Sequence, residues 1–252
     1  MMKYLIGACA AAIVAAGLLS PPNINKDGGL VVAMPMMIGV VASGGGIPLP
    51  SYRNTYTDVS NITNYSFAGC DLGPPHAQRL VVCICIADGQ SISAVTIDGT
   101  SATKVTEVVA GNREISMWQA ASTANSTGTI AFTNGAASAG VVHVYALYPT
   151  STTAVDSGNN NGPGTGVTVS GIAKTDKGFT IMGAVWNTGN RGVFTQTGAE
   201  TVVENYDATY EAASSSSMSS SHVNTATTTT DDYTATITSS SSGLGVVVAS
   251  WF

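Results

Sequence analysis

The chain has 252 residues, with nine Lys plus Arg against fifteen Asp plus Glu and a formal net charge of -6. Charged residues make up only 10%, against about 25% in an average globular chain, and Ser, Thr, Gly and Asn fill the difference. So sparse a cationic set excludes nucleic acid as a partner, because phosphate neutralisation needs clustered Lys and Arg; apolar content of 44% with long β-branched runs also excludes intrinsic disorder.

Residues 1–22 form a hydrophobic N-terminal segment. One Lys at position 3 precedes the uncharged stretch Tyr4 to Leu19, which Ser20, Pro21 and Pro22 close. That is the grammar of a secretory signal, with Val14-Ala15-Ala16 offering a cleavage site before Gly17, and it is shorter than the roughly 20 residues of a spanning helix. Two alternatives stand beside cleavage: an uncleaved plug that docks into an assembly, or a start assigned too early, since Met34, Met36 and Met37 open a second apolar run. Any membrane contact is assigned to this segment alone. Residues 23–51 read as a Gly/Pro linker holding one short apolar strand, Met36 to Ala42. Within it Met36, Met37, Ile38, Val40 and Val41 are the expected assembly contacts, too few to make a domain and too apolar to remain in water.

Residues 52–252 read as one β-sandwich domain. Period-2 or continuous apolar runs recur at short intervals, and no window sustains a 3.6-residue period. The expected strands are Tyr52 to Thr57, Tyr65 to Gly69, Arg79 to Ala87, Ala94 to Ile97, Thr103 to Val109, Glu114 to Ala120, Gly128 to Phe132 and Val141 to Leu147. Beyond them come Val167 to Ser170, Gly178 to Trp186, Glu200 to Tyr206, Ser214 to Val223, Tyr233 to Thr238 and Gly245 to Phe252. Asp98-Gly99 is a tight hairpin signal. Four runs, Arg79 to Ala87, Val141 to Leu147, Phe179 to Trp186 and Val246 to Phe252, are apolar on both faces and mark central strands. The expected fold is therefore all-β: an antiparallel two-sheet β-sandwich, jelly-roll or immunoglobulin-like, preceded by the hydrophobic segment. The Ser-rich stretch from Ser214 is expected to be an ordered strand with a hydroxyl face. Cys83 and Cys85 alternate within one strand and read as buried free thiols, not as a disulfide or a zinc site.

The chain carries no Gly-x-Ser-x-Gly elbow, no His-Glu-x-x-His, no phosphate loop and no dinucleotide fingerprint. His143, flanked by valines, reads as a hydrogen-bonded strand residue. Asp231 with Asp232 and Glu204 with Asp207 are the conceivable carboxylate pairs; Asp156, Asn159, Asn160 and Asn161 offer oxygens to calcium, but fit a plain Asn/Gly turn better. No metal or cofactor is expected. Trp118 and Trp251 read as core. Trp186 ends a strand beside a polar loop, so Trp186, Asn187, Asn190 and Arg191 are the candidate ligand-stacking set, with core packing as the competing reading for the ring.

The order Phe67-Ala68-Gly69, Leu72-Gly73, Arg79-Leu80-Val81-Val82, then Val95 to Thr103, Met117-Trp118-Gln119-Ala120, Val144-Tyr145-Ala146-Leu147 and Val248-Ala249-Ser250-Trp251 resembles a β-sandwich domain of tailed-phage and prophage virion proteins of the minor-tail, fibre or decoration type. The resemblance spans residues 52–252. It implies a non-enzymatic structural component at the virion surface, with copies of itself and other virion proteins as partners and host-surface glycan as a further one. The signal-like segment departs from that pattern. It keeps a second expectation in play: a secreted, extracellular carbohydrate-binding or adhesion module.

Overall fold

The computed structural model describes residues 47–252 apart from Gln90, Thr123, Ser138, 188–193, 199–201, 212–214 and 225–229. The expected assembly contacts Met36, Met37, Ile38, Val40 and Val41 lie outside the described residues, as do Asn190 and Arg191. In chain order the strands are β1 (Ser51–Asp58), β2 (Ile62–Asp71), β3 (Leu80–Asp88), β4 (Ala94–Ile97), β5 (Thr100–Ser101), β6 (Thr103–Ala110), β7 (Arg113–Ala121) and β8 (Thr127–Ala137). They continue with β9 (Gly140–Leu147), β10 (Asp156–Ala173), β11 (Phe179–Asn187), β12 (Phe194–Thr197), β13 (Val203–Glu211), β14 (Ser215–Val223) and β15 (Thr230–Trp251).

These strands make three sheets, not two. The first runs β1-β9-β3-β7-β6, the second β2-β8-β4-β5, and the third β10-β15-β11-β14-β13 with β12 on β15. Every paired strand is antiparallel. Four of the ladders are nested: β1 with β9, β2 with β8, β3 with β7 and β4 with β5. At the inner end Ile97 faces Thr100 across Asp98-Gly99, both of which have positive φ (51° and 78°), as a type I′ hairpin turn requires.

A strand's period of two explains why a third layer is needed. In β3, Val81, Cys83, Cys85 and Ala87 join a core with the second sheet's Tyr65, Phe67, Ile97 and Phe132. Their alternates Leu80, Val82, Ile84 and Ile86 join a core with Ile181, Val185, Val247 and Trp251 of the third sheet. A two-sheet sandwich would leave one of these rows in water, at a cost of about 1.5–3 kcal/mol per large side chain.

The third sheet buries its far face by folding two of its strands over themselves. Near one end β10 pairs Asp156 to Gly162 with Leu244 to Ser250, and near the other it pairs Gly166 to Ala173 with Thr230 to Thr236, with register shifts around Pro163 and Gly164. A Cβ on Gly158 would lie 2.7 Å from Val169 and 2.9 Å from Ile172. Eleven extended residues would separate Gly158 from Val169 by roughly 36 Å, so the strand doubles back. Val167, Val169, Tyr233, Ala235 and Ile237 thereby cover Met182, Ala184, Trp186 and Val248.

Candidate functional site

Trp186 is 1% exposed and sits inside this folded-over core, so its ring is not a rim platform open to a ligand. Its indole Nε1 has no hydrogen-bond partner among the described residues. Asn187 closes β11, facing Ser215 on one side and Gly243 on the other. Trp118 and Trp251 are core residues as expected, their indoles donating to Ser116 Oγ at 2.9 Å and Gln119 Oε1 at 2.8 Å.

The Asn-rich stretch is neither a turn nor a cation loop. Asp156, Asn159, Asn160 and Asn161 lie in β10, where the ladder to Gly245–Ser250 sets the backbone. Their side chains stitch layers together: Asn159 donates to Thr106 Oγ1 at 3.0 Å, Asn160 to Thr168 O at 2.8 Å, Asn161 to Val109 O, and Asp156 accepts the Ala173 amide at 2.8 Å. Asp231 is buried in an ion pair with Lys174, and Asp232 accepts the Gly171 amide at 2.8 Å. Among the described residues no group of three His, Cys, Asp or Glu could hold a metal ion.

His143 is fully buried between the first and third sheets. Its Nδ1 hydrogen-bonds Thr55 Oγ1 at 2.6 Å, Thr55 in turn meets the Tyr52 hydroxyl at 2.7 Å, and Tyr206 packs 5.0 Å from the imidazole. Burial alone pulls its pKa down to about 3, so it is a neutral structural imidazole at neutral pH. Cys83 and Cys85 are free, fully buried and 3.7 Å apart at sulfur, with burial pushing the Cys85 thiol well up; Cys70 is likewise raised, to about 11. The raised Cys70 and Cys85 thiols are therefore not activated nucleophiles.

One polar cavity among the described residues belongs to residues not singled out from the sequence. It has a volume of about 420 Å3 and is lined by Ser91, Ile92, Ser93, Lys104, Glu107, Val108, Val109 and Glu114. A β-bulge builds it. On β7, Glu114, Ser116 and Trp118 share one face. On β6, Lys104 opposes Trp118 and Glu107 opposes Ser116, although residues three apart in a regular strand point to opposite faces. The register shift between Lys104 and Thr106 adds one residue and brings both side chains to the same side.

Lys104 Nζ then sits at the centre. It pairs with Glu107 Oε2, donates to Ile92 O at 3.3 Å, lies 4.8 Å from the Trp118 ring centre and 4.0 Å from Glu114 Oε1. Glu114 is 2% exposed, and its Oε2 accepts the Ile92 amide at 2.8 Å. Its other oxygen, Oε1, has no hydrogen-bond donor among the described residues. Burial raises the Glu114 pKa, the charge of Glu107 and a hydrogen bond with its carboxyl add to the rise, and the Ile92 amide and Lys104 oppose it.

Compared with known proteins, the chain matches no family model, no curated protein and no solved structure.

Proposed function

We propose that the protein is a non-enzymatic structural component of a phage particle, displayed as a tail, fibre or capsid-decorating module that works in assembly and in host-surface contact. The observation that carries this reading is the nested order of ladders, β1·β9, β2·β8, β3·β7 and β4·β5, which alternates between the first two sheets as a long hairpin does when rolled up. That order supports the jelly-roll type over the immunoglobulin-like one. Jelly rolls recur in viral capsid and lectin domains. The step from fold to role is an analogy of architecture, and the charge-poor hydroxyl surface, which repels neighbouring copies weakly, is consistent with it.

The secreted carbohydrate-binding or adhesion reading is favoured by one separate observation, the polar cavity around Lys104, Glu107 and Glu114. Density-gradient sedimentation of culture material, probed with antibody to the chain, tests the particle reading. The protein is expected in the particle band. Protein found only in the soluble extracellular fraction contradicts the reading and leaves the secreted module in its place.

A further inference from the structure

We propose that the β13–β14 hairpin is an acid-released flap: protonation of His143 frees it from the first sheet and from β11, while the three-layer stack behind it stays folded. Neither β13 nor β14 contributes a described side chain to any of the three apolar cores. The face that β14 turns toward the first sheet is made instead of Ser217, Ser219 and Ser221, which are buried and aligned with Val185, Gly183 and Ile181 of β11. The hairpin is therefore held by its backbone ladders and by polar contacts, and segments with few buried apolar side chains are the ones that open locally.

A polar seam joins the hairpin to β1 and β9. The register shift between Glu204 and Tyr206 brings the consecutive residues Asn205 and Tyr206 to the side facing the first sheet. Asn205 Oδ1 accepts the Tyr145 hydroxyl at 3.1 Å and the Ser221 hydroxyl at 2.8 Å, Ser219 approaches the same tyrosine, and the Tyr206 ring lies 5.0 Å from the His143 imidazole. Thr55 engages His143 Nδ1, whereas His143 Nε2 and the Ser217 hydroxyl are buried with no hydrogen-bond partner.

Among the described residues this seam holds no counter-charge for an imidazolium. The titratable side chains around His143 are Tyr52 of β1, Tyr145 of β9 and Tyr206 of β13, and β3 places Ile84 beside it. Charged residues of the flanking strands are engaged elsewhere: Arg53 with Asp71, Asp88 with Arg113, and Asp58 with the Ser60 amide. On the hairpin itself Glu204, Asp207 and His222 hold register positions alternate to those of the three serines, and Glu211 stands opposite Ser215, five residues along β13 from Tyr206. A protonated His143 is a buried, unpaired charge, and the fold relieves it at least cost by releasing the neighbour that has no apolar anchor.

Hydrogen–deuterium exchange of the full chain tests this, read by mass spectrometry at about pH 7 and about pH 4.5 and corrected for intrinsic exchange rates. Peptides from Val203–Glu211 and Ser215–Val223 should exchange faster than those from β3 and β7 at both values, the mark of an opening smaller than global unfolding. With the His143 pKa moving from about 3 when closed to about 6.5 when freed, the hairpin's opening constant should rise about 70-fold between the two. His143→Gln should remove most of that rise, and His222→Gln should keep it. Asn205→Ala cuts the bonds to Tyr145 and Ser221 at a half-buried position, so the seam is tested even if His143→Gln fails to fold. It should raise hairpin exchange severalfold at both pH values and leave β3 and β7 unchanged. Hairpin peptides that exchange no faster than β3 and β7 overturn the proposal. So does an opening constant that is equal at the two pH values, a rise that follows His222 instead of His143, or hairpin exchange that Asn205→Ala leaves unchanged.

Discussion

Gly183 is a point of close approach between the third sheet and the first, and filling it tests the stacking of these two layers. A Cβ at this position would lie 2.8 Å from Ile84 Cδ1, 3.1 Å from Ile84 Cγ2 and 3.2 Å from Ile115 Cδ1. Gly183 has an ordinary strand backbone, paired with Ser219 and Val247, so space is the only obstacle to alanine. Overpacking a dense core costs about 1–3 kcal/mol, whereas removing a glycine's freedom in the unfolded chain returns about 0.4–1 kcal/mol. The strain wins, and Gly183→Ala should lose about 1–2 kcal/mol. Ile84→Val alone should lose about 0.5–1.5 kcal/mol. Combined, the two should cost little more than Ile84→Val alone, because valine lacks the Cδ1 that the new methyl would strike. Denaturant unfolding followed by tryptophan fluorescence gives the four free energies of the cycle; Trp251 lies in the same inter-sheet core. Costs that simply add, within the roughly 0.3–0.5 kcal/mol expected of independent sites, would refute the stacking of β11 on β3.

Further outcomes follow from the same layers. His143 has a folded pKa of about 3 against an unfolded value near 6.5, so its contribution is complete above pH 6.5 and is lost as pH falls through that window. At about pH 4.5 the loss from this one imidazole is about 3 kcal/mol, and His143→Gln should show a correspondingly shallower fall in denaturant midpoint between about pH 7 and 4.5; identical profiles would show that burial does not set the titration. Cys83 and Cys85 should resist a thiol reagent until denaturant is added, and prompt labelling of native protein would contradict their place between the first and second sheets. Truncation after Gly243 removes Leu244, Val246, Val247, Val248 and Trp251, all buried, at about 1.5–3 kcal/mol each. That is comparable with the roughly 5–15 kcal/mol of a whole domain. Soluble protein with an unchanged melting profile would mean that this strand is not core.

The parts of this fold that show in the sequence are those whose side chains carry the signal. The two-faced apolar runs of β3, β9, β11 and the end of β15 announce central strands, and Asp98-Gly99 announces its turn. The first half of β10 is hidden because eight of the eleven residues from Asp156 to Gly166 are Asn, Gly or Pro, residues poor in strands. There the ladder to Val246–Ser250 overrides local propensity. The expectation of two sheets fails for a related reason: the strands that cover the third sheet are continuations of β10 and β15, and the bend that doubles them back reads locally as a break. The cavity was hidden by the bulge in β6. Read at period two, Lys104 and Glu107 oppose each other, and only the odd spacing of two charges in a short strand, with Glu114 just past the hairpin, signals that the register shifts.

Where the protein resides separates a particle component from a secreted module most directly. Immunogold labelling of particles purified from culture, with antibody raised to residues 52–252, should place gold on the particle exterior at a regular position on tail, fibre or capsid. Particles free of gold, alongside abundant soluble chain in the same culture, would contradict the assignment to a virion.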